Sequence, residues 1–223
     1  MGAPRKLKRL IATASLALAL AAPTAAVADI LGGTIAITSG GTFIPDIFAV
    51  IPTPTLTVGT GAVDANDFLF GFNEKTVTLG GALTLDAGSI AAGTLVQSHY
   101  IFFDPKDHQT VETGSYQAGT TPITFAFPIL GVISTKSGLD ATNALFGVSG
   151  VTYATSTLIG LESGDVYSFA GNTLSLDWSA TDPGDHIRVI TAAVPEPGTY
   201  AMILAGLGLM GFMARRRLQG RSG

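Results

Sequence analysis

Between Asp29 and Ala193 the apolar residues recur at alternate positions in short runs, and glycine or proline cuts each run after a few residues. Leu174, Leu176 and Trp178 alternate with Ser175, Asp177 and Ser179, Val77 and Leu79 with Thr76 and Thr78, and Ile123, Phe125 and Phe127 with Thr124 and Ala126. Neighbouring side chains of a strand point to opposite faces, so such runs read as half-buried strands. The segments Asp67 to Phe72 and Tyr100 to Phe103 are apolar on both faces and suit central strands. Breaks are expected at Gly32-Gly33, Gly40-Gly41, Gly80-Gly81, Asp104-Pro105 and Asp182-Pro183-Gly184-Asp185. A βαβ fold would need long stretches of 3.6-residue period for its crossover helices, so the pattern points to an antiparallel β-sandwich or jelly-roll-like body. One short helix is expected at Ser137 to Phe146, with Ser137 as its cap and Asp140 at the third helical position. The proline-rich stretch Pro45 to Pro54 reads as a loop across one end, with an edge strand as the alternative. No internal repeat is present, which disfavours propellers and solenoids.

Charge is segregated along the 223 residues. Arg5, Lys6, Lys8 and Arg9 stand at the start, and Arg215, Arg216, Arg217 and Arg221 at the end. Residues 29–193 hold four basic against fifteen acidic residues, a net of −11. A body of that sign offers no basic stripe for phosphates, which argues against nucleic-acid binding. Cysteine is absent, which removes disulfide scaffolds, thiolate zinc sites, cysteine nucleophiles and lipoprotein anchors.

The basic cluster at the start precedes the apolar run Leu10 to Ala22 and the small residues Ala26-Val27-Ala28, the order of a secretion signal. Cleavage by signal peptidase is expected after Ala28, with Ala26 and Ala28 as the small residues at the cut. The apolar run, of about 13 residues, is too short to span a bilayer, which takes roughly 20. At the other end, Val194-Pro195-Glu196-Pro197-Gly198-Thr199 leads into the apolar run Tyr200 to Ala214 and then Arg215-Arg216-Arg217. The two prolines hold the backbone extended for an enzyme's cleft. The apolar run reads as a transmembrane-like helix of about 22 Å, and the arginines as its cytoplasmic stop. Gly206, Gly208 and Gly211 spell a dinucleotide-binding pattern, but no strand precedes them and no acidic residue follows, so the pattern carries no nucleotide reading.

Val194 to Ala201, the apolar run and the arginine triplet resemble the PEP-CTERM sorting signal of exported bacterial proteins. The resemblance implies handling by an exosortase, a membrane-embedded transpeptidase-like protease, with cleavage in or near Pro195 to Pro197. It also implies transient anchoring in the inner membrane, followed by delivery to the envelope or the extracellular matrix. The resulting organisation is a signal peptide at 1–28, an acidic β body at 29–193 and a sorting signal at 194–223. The body resembles the cores of a subset of PEP-CTERM proteins through Ser98 to Pro105 and Pro183 to Val189. That likeness implies an exported domain and no particular chemistry.

Catalytic patterns are sparse. A serine hydrolase wants a nucleophile on a G-x-S-x-G elbow, and Gly147-Val148-Ser149-Gly150 lacks the spacing. His99 reads as a hydrogen-bonded sheet residue, and His108 and His186 as solvated. No H-E-x-x-H pair supports zinc. Calcium is the candidate cation, at Asp182, Asp185, Asp64 and Asp67, against the ordinary role of aspartate as a turn residue. Glu74 and Glu162 lie near apolar strands and Glu112 in a polar stretch, while Trp178, Tyr100, Tyr116, Tyr153 and Tyr167 are either core residues or a sugar-stacking face. The reading favoured is a noncatalytic surface or matrix protein with no catalytic residues and no cofactor besides calcium. Its expected partners are the two processing enzymes, the membrane during sorting and anionic exopolysaccharide. A secreted hydrolase of envelope polysaccharide, or a sugar- or ice-binding module, is the alternative.

Overall fold

A computed structural model describes residues 29–34, 36–39, 42–44, 48–52, 55–58, 69–103, 111–114, 121–154, 159–180, 184–193 and 204–211. The chain divides into two compact units, Ala26–Pro195 and Met1–Ala25 with Glu196–Gly223. In the second, residues 204–211 are helical and exposed. Among the described residues no helix is long and apolar enough to cross a membrane.

The first unit is mainly β. Its strands are β1 (Ile30–Thr34), β2 (Ala36–Ser39), β3 (Thr42–Ile44), β4 (Phe48–Val50), β5 (Leu56–Thr57), β6 (Leu69–Thr78), β7 (Leu83–Thr84) and β8 (Ser89–Ile90). There follow β9 (Leu95–Phe103), β10 (Val111–Gly114), β11 (Thr121–Phe125), β12 (Ile129–Ile133), the helix α1 (Lys136–Phe146), β13 (Val151–Thr152), β14 (Val166–Ala170), β15 (Thr173–Ala180) and β16 (Asp185–Ala192). One sheet runs β1-β11-β15-β10-β2-β3, with β14 also on β15, and a second runs β12-β16-β9-β6-β4. Their pairings are antiparallel except β4 with β6, and the small pair β5 and β13 is also parallel.

The two larger sheets share one apolar core. Ile123, Phe125, Leu174, Leu176 and Trp178 of the first meet Leu69, Ile101, Phe103, Ile187 and Val189 of the second. The other face of the five-stranded sheet is covered as well: Phe72, Val96, Tyr100, Phe102 and Ile190 pack with Leu139 and Phe146 of α1 and with Leu83, Leu85 and Ile90 around β7 and β8. Covered on both sides, β9 and β16 have almost every side chain out of water, which accounts for the nearly continuous apolar character of Tyr100 to Phe103.

Several local expectations change. Gly32 and Gly33 do not end a strand: β1 passes through them with shifts of register, Gly32 at φ +117°. A side chain at Gly33 would begin 2.7 Å from the Ile123 Cα, so glycine is what lets β1 lie against β11. Within the stretch expected as a loop, Phe48–Val50 forms an edge strand on β6. The helix starts near its expected place, but its cap is Thr135 rather than Ser137: the Thr135 hydroxyl accepts from Gly138 N at 3.2 Å, and Asp140 instead pairs with Lys136 one turn back. Gly80 and Gly81 do turn the chain at the end of β6, while Gly40-Gly41, Asp104-Pro105 and Asp182-Pro183 lie outside the described residues.

Candidate functional site

One group of buried polar side chains converges on the face of the five-stranded sheet that carries α1. On β6, Asn73 faces His99 and Thr76 faces Gln97, so Glu74 and Lys75 together oppose Ser98. This extra residue is a β-bulge, a device that re-aims a side chain. Gln97 seals it, donating from Nε2 to the Glu74 carbonyl at 2.7 Å and accepting from the Thr76 hydroxyl. Glu74 is thereby turned beneath α1, where its side chain has no exposure.

Arg188 of β16 reaches the same point from across β9, also with no exposed side chain. Its Nε donates to Glu74 Oε2 at 2.6 Å and one terminal nitrogen to Oε1 at 2.8 Å, the forked pairing that a guanidinium makes with a carboxylate. The remaining donors reach the Leu139 carbonyl at 3.0 Å, the Thr142 hydroxyl, and Asn143 Oδ1 at 3.0 Å, all on α1. All five N–H groups are thus used. Glu74 also accepts from Ser98 Oγ at 2.5 Å and from the Tyr153 hydroxyl at 2.6 Å. The guanidinium lies 5.3, 5.6 and 5.7 Å from the ring centres of Tyr100, Tyr153 and Phe146.

Electrostatics follow this packing. Burial weighs against the charge on Arg188, but Glu74 outweighs it and holds the pKa above its usual value. Burial raises the phenols of Tyr100 and Tyr153, with the Glu74 charge adding to both. Isolated, a buried ion would cost several kcal/mol, but here each is paired and hydrogen-bonded throughout. The cluster fastens α1 to the sheet and ties β16 to β6. Its two charged groups have no bonding direction left for a substrate.

The three histidines separate. His99 is the hydrogen-bonded sheet residue expected from its position, with Nδ1 2.8 Å from Asn73 Oδ1 and Nε2 3.0 Å from the Thr191 hydroxyl. Burial pushes it down to about 3, so the ring is neutral. His186 is a correction: it is fully buried rather than solvated, with Nδ1 2.9 Å from the Tyr100 hydroxyl. It belongs to the face of a central strand that packs on Tyr100 and Phe102, and its place beside a turn misleads. His108 lies outside the described residues. Trp178 and Tyr100 are core residues, at 2% and 1% exposure, rather than parts of a sugar-stacking face.

Among the acidic candidates, Asp64, Asp67 and Asp182 lie outside the described residues. Asp185 is 3% exposed, and its Oδ2 has no hydrogen-bond partner. Burial, and then the charges of Asp165 and Glu162, push its carboxyl up to about 8. Among the described residues no three histidine, aspartate or glutamate side chains are grouped so as to hold a metal ion. Arg188 is the residue that sequence reasoning passed over. Its signal was a lone charge between Ile187 and Val189, since buried arginine is almost always paired.

The residues expected to direct export and sorting, Ala26 and Ala28, Val194 to Thr199 and Arg215 to Arg217, lie outside the described residues. Comparison with protein families matches residues 193–217 to the PEP-CTERM protein-sorting motif. Neither curated proteins nor solved structures give a match to the chain. The motif implies exosortase-dependent sorting of an exported protein to the cell envelope, and hence processing by a membrane protein.

Proposed function

We propose that this chain, which carries a PEP-CTERM protein-sorting motif, is a noncatalytic component of the cell surface or extracellular matrix, a β-sandwich cut free of its C-terminal tail in or near Pro195 to Pro197. The observation that carries the reading is the motif match over 193–217, which begins one residue after the end of β16. Two sheets closing on one core support the sandwich. The saturation of Arg188 and Glu74 supports a structural role for the strongest charge pair in the body.

Signal peptidase removes residues 1–28 in this reading, and the apolar run Tyr200 to Ala214 holds the protein in the inner membrane until exosortase acts. The test is to replace Pro195, Glu196 and Pro197 with alanine in the full chain and follow mass and compartment. The variant is expected to keep its tail and stay with the membrane fraction. The same mass and compartment as wild type would end the sorting reading.

The acidic body, at a formal −11 over 29–193, stays soluble by self-repulsion and gives divalent cations a means of bridging it to anionic glycans. Millimolar calcium is therefore expected to raise the melting temperature of the processed protein by a few degrees, roughly the effect of ligand at several times its Kd. An unchanged melting curve removes calcium from the account.

A further inference from the structure

Strand polarity brings both ends of the body to one place. Ala192, the last residue of β16, faces Val96 near the start of β9, and its N–H donates to the Pro128 carbonyl at 2.8 Å. The carbonyl of Asp29, the first residue of the body, accepts from Ala126 N at 2.9 Å. Residues 126–128 thus hold the beginning and the end together. A relay of side chains repeats the link: Asn73 Nδ2 donates to Asp29 Oδ1 at 2.7 Å, Asn73 Oδ1 is 2.8 Å from His99 Nδ1, and His99 Nε2 is 3.0 Å from Thr191 Oγ1.

The same end carries the connections after β6, before β9 and between β14 and β15, because Thr78 faces Leu95 and the Gly171 carbonyl accepts from Ile129 N. None of residues 79–82, 91–94, 126–128, 171–172 and 192–193 is charged, and the exposed carboxylate of Asp29, which accepts from Asn73, is the acid placed beside them, although the body as a whole stands at a formal −11. The described acids Glu162, Asp165 and Asp185 belong to the opposite end, where Asp185 faces Phe103 at the finish of β9. Only Ala193 and Val194 separate Ala192 from Pro195. At no more than about 3.6 Å per residue, the chain from Ala192 to Glu196 can reach at most about 14 Å.

We infer that this sparsely charged end, formed around Ala82, Ala92, Ala126 and Asn172, is the surface that seats against the membrane-embedded processing protease while it cuts at Pro195 to Pro197. The inference rests on the sorting reading above. A cleft holding roughly three extended residues on the body side of Glu196 takes up the whole tether, so the enzyme's rim rather than lipid meets the body. An end whose acid is the single, hydrogen-bonded Asp29 also lessens the repulsion between a strongly acidic cargo and an anionic membrane surface.

The test follows the rate of tail removal from the full chain in cells that process the wild type. Ala82→Glu with Ala92→Glu is expected to slow removal about tenfold, the effect of roughly 1.4 kcal/mol of misplaced charge. Ser163→Glu with Val166→Glu, at the opposite end, is expected to leave the rate alone, and ten Gly-Ser residues inserted between Ala193 and Val194 are expected to restore the slowed variant. Unaltered melting temperatures confirm that the variants fold. Equal rates for wild type and the Ala82, Ala92 variant, equal slowing at both ends, or failure of the insertion to rescue would each overturn the inference. So would binding of the processed wild-type protein to phosphatidylethanolamine and phosphatidylglycerol vesicles that is lost in the variant, since it would assign the end to lipid. A wild-type chain that keeps its tail in cells known to cleave other proteins bearing the motif would instead sink the sorting reading itself.

Discussion

Replacing Arg188 with methionine is expected to destabilise the body by about 3–5 kcal/mol, because it strands Glu74 as a buried carboxylate whose strongest partner is gone. At about 2–4 °C per kcal/mol for a domain of this size, the melting temperature should fall by on the order of 10 °C. Loss of charge is only part of the effect. The Leu139 carbonyl, Thr142 and Asn143 also lose their donor, so α1 is released from the sheet. Adding Glu74→Gln should recover a substantial part of the loss, since a neutral amide accepts from one of the Ser98 and Tyr153 hydroxyls through its oxygen and donates to the other through its nitrogen, without an uncompensated charge. Denaturant titration of both variants reads this directly. A single variant within about 1 kcal/mol of wild type, or a double variant less stable than the single, would show that the pair does not carry the fold as described.

Asp185→Asn should act in the opposite direction, and only above acidic pH. The folded carboxyl keeps its proton up to about 8, whereas the unfolded group releases it near its usual 3.8. Below about 4 both states are protonated and the residue contributes nothing to pH dependence. As pH rises from about 4 to 8 the unfolded chain ionises and the folded one does not, so stability falls throughout that window and levels off above it. Asparagine has no charge to release. The variant is therefore expected to match wild type at pH 4 and to gain stability progressively towards pH 8, with about 5 kcal/mol as an upper bound. Melting curves across that range decide it, and a gain of the same size at pH 4 would point to packing rather than ionisation.

Particular segments show how far sequence reasoning reached. The alternation of Leu174, Leu176 and Trp178 became β15 with all three inside, and the doubly apolar Tyr100 to Phe103 became the finish of central β9. Both readings depend on a period carried within a few neighbouring residues. The errors had a common form. Gly32-Gly33 was expected as a break because glycine permits one, but whether the chain turns there or lies flat on β11 depends on what stands opposite. His186 was expected in solvent because polar turn residues flank it, yet its own side chain faces Tyr100. Glu74 and Arg188 each supply what the other needs from 114 positions away, a pairing that no local pattern announces.

The order of segments along the chain was enough to establish a mainly β body and a C-terminal sorting motif, since strand period is a local property and a sorting signal is read by another molecule from consecutive residues. Tertiary structure alone decided that a bulge turns Glu74 towards Arg188, that Asp185 stays protonated, and that Asp29 and Ala192 leave the body side by side. Those outcomes depend on which strands become neighbours and in what register. Burial settles both by summing weak preferences over residues remote in sequence, and no single stretch of the chain contains that sum.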